Sequence, residues 1–440
     1  SPPPPPPSSI SDDDNVIVVT SARREEALME IPVAVTTIGA SDSSDTVAEV
    51  SSSRPPGIVP EGEPQPRPRA GLLTAGGHDD LLNPLLYARY VAKSNIGQQL
   101  PDVPVLDTSR LLSILVQDRS GSPVPFADVV VTCSDGNELK LETKADGRAV
   151  FFPALDNLSP KINIAVFDNQ KPIVRSRSFL LSDNVGMDAI TMTVSGNKVK
   201  KVSKLDLMLV IDTTGSMADE LRYLQAELKA ILNRLRNKHN AVDIDVGFVF
   251  YRDKTDEYIT RTLPLSSDFD ARQTNLSKQF AAGGGDYPEA MDQALIRASN
   301  QKWRPESIKS LVLVADAPPH DNRFDRSWLA AEKLRSQGVH IVPVAASGVA
   351  DKAEYIMRAM AVATQSSYLF LTDDSGVGNP HAAPAIDCYL VTHLDIALQR
   401  VLDSQLSGRR IEPESDDIIR KVGEYDAGRC ILPKNFDSQG

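Results

Sequence analysis

The sequence predicts an α/β protein: a doubly wound, mostly parallel sheet, preceded by a β-sandwich domain and a disordered N-terminal tail. Three observations carry this. From Lys204 onward, apolar runs short enough for buried strands alternate with amphipathic stretches at helical spacing. Between Leu111 and Val194, short β-prone runs are separated by turn sequences. The first 70 residues are rich in Pro, Ser, Asp and Glu, and such a composition buries too little apolar area to offset the entropy of ordering. A chain of 440 residues has room for about two or three domains.

In residues 1–70, Pro2–Pro7 favours extended polyproline II geometry, and Ser51–Arg69 is a second Pro-rich segment. Between them, Asp13–Ile38 departs from the tail composition. Val16–Thr20 and Val33–Ile38 are β-prone, and Ala22–Met29 has the length of about two helical turns. This segment resembles the start of the plug of TonB-dependent outer-membrane receptors. Ile17–Thr20 match the TonB box, Arg23–Glu26 the charged stretch and Pro32–Thr36 the strand that follows. The resemblance implies TonB or an outer-membrane receptor as a partner, through addition of a strand to an exposed sheet edge. An exported tail of similar composition accounts for the same residues. Residues 71–108 read as a linker with a turn and one short helix from about Asp79 to Ala92.

Residues 109–199 carry LLSILVQD, ADVVVTCSD, ELKLETKAD, GRAVFFPAL, KINIAVFD, VRSRSFLLS and AITMTV, divided by turns such as SDGN and ADG. Strands at this spacing predict a β-sandwich. Val116–Val131 followed by Thr143–Leu155 resembles the carboxypeptidase-regulatory or transthyretin-like immunoglobulin-type modules, which implies a spacer or contact surface.

Residues 204–409 form the α/β domain, and 410–440 a C-terminal tail. Buried strands are expected at Leu205–Ile211, Ile244–Phe250, Ser310–Ala315, His340–Ala346 and Tyr368–Leu371. Helices are expected at about Asp219–Arg236, Pro288–Asn300, Arg326–Gln337, Ala353–Thr364 and Tyr389–Ser407. Strands this apolar need cover on both faces, which crossover helices supply. Ile259–Leu265 reads as an antiparallel edge strand, with Arg252 and Asp253 as an ion pair in the turn before it.

In open parallel sheets, ligands bind at the carboxyl ends of the strands. Three polar clusters should meet there: Asp212–Ser216 after the first strand, Gly283–Glu289, and Asp316–His320. Carboxylates and hydroxyls without a His–Cys set form a hard-oxygen environment, which selects Mg²⁺, or Mn²⁺ or Ca²⁺. The pattern Asp212-x-Thr214-x-Ser216 resembles the D-x-S-x-S element of von Willebrand factor A domains. In that family a metal-ion-dependent adhesion site adds a Thr from a second loop and an Asp from a third. Asp316 matches the third element. Asp286 stands where the second element has Thr, giving a GGGD-x-PEA variant. The resemblance covers about Lys204–Arg409. It implies a cation held by Asp212, Thr214, Ser216, Asp286 and Asp316, with a position open to a carboxylate of a partner protein. The carboxyl of Asp286 would make that position less attractive to an acidic group. Asp286 and Glu289 also have the spacing of a helix capping box with Pro288 in the first turn. His320 reads as a loop histidine.

The formal net charge of −12 excludes a general nucleic-acid binder, which shows a basic footprint. No run approaches the roughly 20 apolar residues of a membrane helix. The three cysteines, Cys133, Cys388 and Cys430, show no zinc-like spacing; Cys388 and Cys430 could pair or stay free. An exported protein is expected, its leader removed ahead of the opening SPPPPPP, in the periplasm, on the outer-membrane surface or outside the cell. The expected function is a metal-dependent adhesion or assembly module of an exported bacterial protein, not an enzyme. A TonB-linked envelope component is the alternative and a metal-dependent hydrolase the third reading. Hydrolysis would need a general base beside a bound water, and His320 is the candidate.

Overall fold

The computed structural model describes residues 72–195, 200–239, 242–285, 287–346, 349–376 and 381–431. The tail 1–70, its TonB-box-like segment Asp13–Ile38 and residue Asp286 lie outside the described residues.

The larger unit is built on a nine-stranded mixed sheet. Its centre is parallel: β9 (Lys204–Asp212) pairs with β10 (Asp243–Tyr251) on one side and β12 (Ile308–Ala315) on the other, followed by β13 (Val339–Ala345) and β14 (Tyr368–Thr372). These strands are buried along nearly their whole length, because helices cover both faces. One face packs against α3 (Ala218–Lys238), α4 (Phe269–Ser277) and α8 (Leu394–Ser407). The other packs against α5 (Met291–Ser299), α6 (Phe324–Ser336) and α7 (Asp351–Ala363). The edge strand expected at Ile259–Leu265 is β11 (Thr260–Ser266), antiparallel to β10.

Residues 71–108 are not a linker. Thr74–His78 form β1, which lies antiparallel between β14 and β15 (Tyr389–His393) and so completes the sheet. Thr-Ala-Gly-Gly has no apolar alternation to mark a strand, yet the glycines are what the slot needs. A Cβ on Gly76 would come 2.3 Å from the Phe370 ring. Helix α1 (Pro84–Lys93) then docks through Tyr87 and Val91, the single turn α2 (Ile96–Gln99) follows, and Asp80 pairs with Arg358 of α7 at 2.7 Å, both buried. The helix expected over Tyr389–Ser407 starts at Leu394. Its first residues, Tyr-Leu-Val-Thr-His, are β15, held by β1 on one side and β16 (Arg420–Val422) on the other.

Residues between β1 and β9 form two small antiparallel-rich sheets with one shared core, which includes Leu112, Ile114, Val129, Val131, Phe151 and Ile164. One sheet has the strand order β5 (Arg148–Phe151), β2 (Arg110–Gln117), β8 (Gly186–Thr193). The other has the order β4 (Glu138–Glu142), β3 (Asp128–Cys133), β6 (Lys161–Asp168), β7 (Lys171–Leu180). This unit sits against the amino ends of β12 and β13. Asp156 accepts two hydrogen bonds from Arg335, Glu142 pairs with Lys309, and the Lys144 ammonium donates to the Gly338 carbonyl. The carboxyl ends of the same strands stay free for a site. Cys388 and Cys430, open either way from sequence, are disulfide-bonded.

Candidate metal centre

The apolar run of β9 ends at Asp212, which places a carboxylate at the carboxyl edge of the sheet centre. The chain then turns. Asp212 Oδ1 accepts from the Thr214 N–H at 2.9 Å and from the Thr214 hydroxyl at 2.7 Å. The Thr214 and Ser216 hydroxyls lie 3.4 Å apart. Thr213 points the other way, its hydroxyl on the Tyr251 carbonyl and the Tyr258 phenol. The alternate spacing thus has a local cause: odd and even residues of the turn face opposite sides.

The Gly-rich loop is laid over this turn. The Gly215 N–H donates to the Gly283 carbonyl, and the Ala282 N–H to the Thr213 carbonyl. Gly283 and Gly284 have φ of +80° and +77°, a region side chains disfavour. Asp256 holds the loop from outside by accepting the Gly284 N–H. The structure brings Asp212, Thr214, Ser216 and Asp316 to one place; Asp286 is outside the described residues.

Three carboxylates turn into the site with an oxygen that is buried and has no hydrogen-bond partner: Asp212 Oδ2, Asp316 Oδ1 and Glu289 Oε2. Glu289 was missed as a site residue because its spacing from Asp286 reads as a capping box. The helix begins only at Met291, with Ala290 at its N-cap and no side-chain cap. The Glu289 N–H is taken by the Pro318 carbonyl instead, which bridges the second and third loops and turns Glu289 inward. Tyr251, Asp253 and Asp256 were also missed as neighbours of the site. Arg252 and Asp253, expected as a pair, separate. Arg252 reaches Glu257 and the carbonyls of Thr213 and Phe280, while Asp253 Oδ1 accepts from His320 Nε2 at 2.6 Å.

The crowding has an electrostatic signature. Burial, then the charge of Asp316, push Asp212 up to about 7 against the opposing bonds from Thr214 and Tyr251. Burial, then Asp212, Asp253, Asp256 and Asp316, push Glu289 up to about 9. Burial also raises Asp316, partly offset by a bond from Ser216. Tyr251 is driven well above its ordinary value by burial and by Asp212, Asp316 and Glu289. Among the described residues, no group of three or more His, Cys, Asp and Glu side chains is spaced to grip an ion alone. The Thr214 and Ser216 hydroxyls would have to complete the set. Unpaired buried carboxylate oxygens beside hydroxyls fit a hard dication and suit a soft one poorly.

Residues 206–383 match the family model of the von Willebrand factor A domain. A von Willebrand factor A domain is supported here. Domains of this family are generally interaction modules. A stretch of 122 residues, 27% of this chain and 19% of the relative, is 30% identical to alpha-protein kinase vwkA of Dictyostelium discoideum. Another of 128 residues, 29% of this chain and 12% of the relative, is 32% identical to the putative ariadne-like RING finger protein R811 of Acanthamoeba polyphaga mimivirus. The chain therefore spans only a small part of the length of these relatives. Among solved structures, it is similar to the conserved hypothetical protein BatB from Bacteroides thetaiotaomicron. The identity is 13%, over 46% of this chain and 98% of that one, at a TM-score of 0.31. It is also similar to the pilus adhesin SpaC from Lactobacillus rhamnosus GG. There the identity is 14%, over 57% of this chain and 32% of that one, at a TM-score of 0.32. No helix among the described residues is long and apolar enough to cross a membrane.

Proposed function

We propose that this chain is a protein-binding module of an exported protein and that its von Willebrand factor A domain engages the partner through a divalent cation. Asp212, Thr214, Ser216 and Asp316 hold Mg²⁺, or Mn²⁺ or Ca²⁺, with Asp286 from the Gly-rich loop. To these we add Glu289. The two-sheet unit at residues 109–199 is read as an immunoglobulin-like sandwich that braces the opposite end of the domain.

The observation that carries this reading is the set of buried, unpartnered oxygens on Asp212, Asp316 and Glu289. Three inward carboxylates within reach of each other's charge are costly when ionised; a cation relieves that cost as protons do, and the Thr214 and Ser216 hydroxyls beside them favour the cation. The cation supplies the coordination that holds a partner group. Thr214 holds Asp212 Oδ1 and leaves Oδ2 for the ion, and the buried Tyr251 lies beside Asp212. Export is supported by the Cys388–Cys430 disulfide, which persists in oxidising compartments.

The test is partner capture by the full chain from cell-envelope extract, in Mg²⁺ and in excess chelator, with Asp212→Ala alongside. The reading requires a partner retained in Mg²⁺, released by chelator and absent with Asp212→Ala. A partner held equally in all three conditions would contradict it.

A further inference from the structure

The two-sheet unit ends on four edge strands, β4, β5, β7 and β8. Two of them rest on the larger unit. The Val150 N–H of β5 donates to Gln365 and its carbonyl accepts from Arg335, while Glu142 of β4 pairs with Lys309. The third, β7, is defended. It carries Pro172 and the exposed Lys171, Arg175 and Arg177, and its pairing with β6 breaks register twice. Proline, cations and irregular register are the means by which an edge refuses a further strand. The fourth, β8, has none of them. It pairs with β2 in unbroken register from Gly186 to Thr193, and its one charged residue, Asp188, accepts the Ser182 N–H. The Gly186 and Val194 N–H groups donate to the Ser109 and Gln117 carbonyls on the β2 side. Alternation along the strand therefore turns the N–H and C=O of Met187, Ala189, Thr191 and Thr193 outward. Among the described residues no strand pairs with them.

Beside the start of β8 lies an apolar groove of about 530 Å³, lined by Leu85, Val91, Val105 and Val185. Val185 is 65% exposed and Met187 61%, and Leu85 and Val105 are half exposed. Bare backbone groups next to an apolar groove are the two parts that strand addition uses: ladder bonds hold the added strand and a pocket takes one of its side chains.

We infer that the open edge of β8 takes a further strand from this chain's own N-terminal segment, Val16–Thr20, with the groove receiving an apolar side chain at one end of it. Val-Ile-Val-Val-Thr is β-branched throughout and uncharged, whereas the second β-prone run, Val33–Ile38, is interrupted by Ala34. An uncharged strand suits an edge whose outward residues, Met187, Ala189, Thr191 and Thr193, carry no charge. The chain enters the described residues at a fixed point, where Leu72 and Leu73 donate to Glu227. Roughly 50 residues separate Thr20 from Leu72. Extended chain covers about 3.3 Å per residue, so this length reaches well past a body whose radius of gyration is about 20 Å. Tethering also gives the segment an effective concentration on the order of millimolar, so a pairing too weak for a free peptide suffices within one chain. The segment that resembles a TonB box is then held by its own chain and not offered to an outside sheet.

The experiment is hydrogen exchange by mass spectrometry on the full chain, at low and high protein concentration, with the mass in solution measured by light scattering at both. Wild type is compared with Val18→Pro, Val35→Pro and Ala189→Pro. In wild type, peptides covering residues 187–193 and 16–20 should exchange about tenfold or more slowly than in Val18→Pro, at either concentration. Ala189→Pro removes one outward N–H, a change an edge strand tolerates, and should free residues 16–20 in the same way. Val35→Pro should match wild type. Equal exchange in wild type and Val18→Pro overturns the inference, as does loss of protection in Val35→Pro. Protection that appears only at high concentration, with a doubled mass, also overturns it and gives the edge to a second copy.

Discussion

Glu289 and Gly284 show how single residues shape the site. A Cβ on Gly284 would lie 2.9 Å from Glu289 Oε1 and 3.1 Å from the Thr214 Cβ, at a φ of +77°. Gly284→Ala should therefore cost about 1–2 kcal/mol in a denaturant melt and weaken Mg²⁺ binding, because it pushes on two proposed ligands. Glu289→Gln fixes the neutral state that Glu289 holds below about pH 9 in the metal-free protein. The metal-free variant should therefore melt higher than wild type only as pH rises towards that value, and Mg²⁺ should stabilise the variant less. An unchanged melting temperature with an unchanged Mg²⁺ response would return Glu289 to a merely structural role. That Asp212, Thr214, Ser216 and Asp316 come together was legible because they follow buried strands directly, at the edge where parallel sheets bind ligands. The place of Glu289 beside them was not, because Asp-x-x-Glu before a helix describes a cap equally well. The hydrogen bond from its N–H to the Pro318 carbonyl, a contact across loops, sets it apart from the helix that begins at Met291.

At the level of elements, the buried strands and their covering helices could be read from periodicity, because each carries its apolar pattern locally. The inserted strand β1 could not: a slot between Phe370 and Tyr389 selects for missing side chains, and absence leaves no pattern. Its anchor is the Asp80–Arg358 pair. Burial raises the Asp80 carboxyl, but Arg358 and His78 outweigh it and hold it well below the usual carboxylate range. A group depressed in the fold stabilises it above the unfolded value of about 3.9 and loses that contribution as pH falls towards the folded value. Stability should thus decline on acidification below about pH 4, and Asp80→Asn should lack that part of the decline. At pH 7 the same substitution leaves Arg358 buried with one partner fewer and should cost about 3 kcal/mol by urea denaturation. A variant as stable as wild type would mean that β1 is held by its ladder alone.

Across the molecule, the two-sheet unit is tied to the larger one at both ends, by β1–α1 before it and β9 after it. The seam is sealed by the buried Arg335–Asp156 pair, with Arg335 also bonded to the Val150 carbonyl. Composition and strand count gave the unit's β character but not its attachment, since a salt bridge between residues 179 positions apart has no local trace. The two units should unfold in one calorimetric transition. Asp156→Ala, which strands a buried guanidinium, should lower stability by about 3–5 kcal/mol and split the transition in two. The brace lies opposite the carboxylate cluster, so Asp156→Ala should leave Mg²⁺ affinity unchanged below the melt. The central claim is that the inward carboxylates exist to hold a dication, and calorimetric titration of Mg²⁺ into wild type and Asp212→Ala tests it most directly. The account predicts saturable Mg²⁺ binding by the wild type, with none by a variant whose circular dichroism is unaltered. Equal binding by both proteins, or none by the wild type, would contradict it.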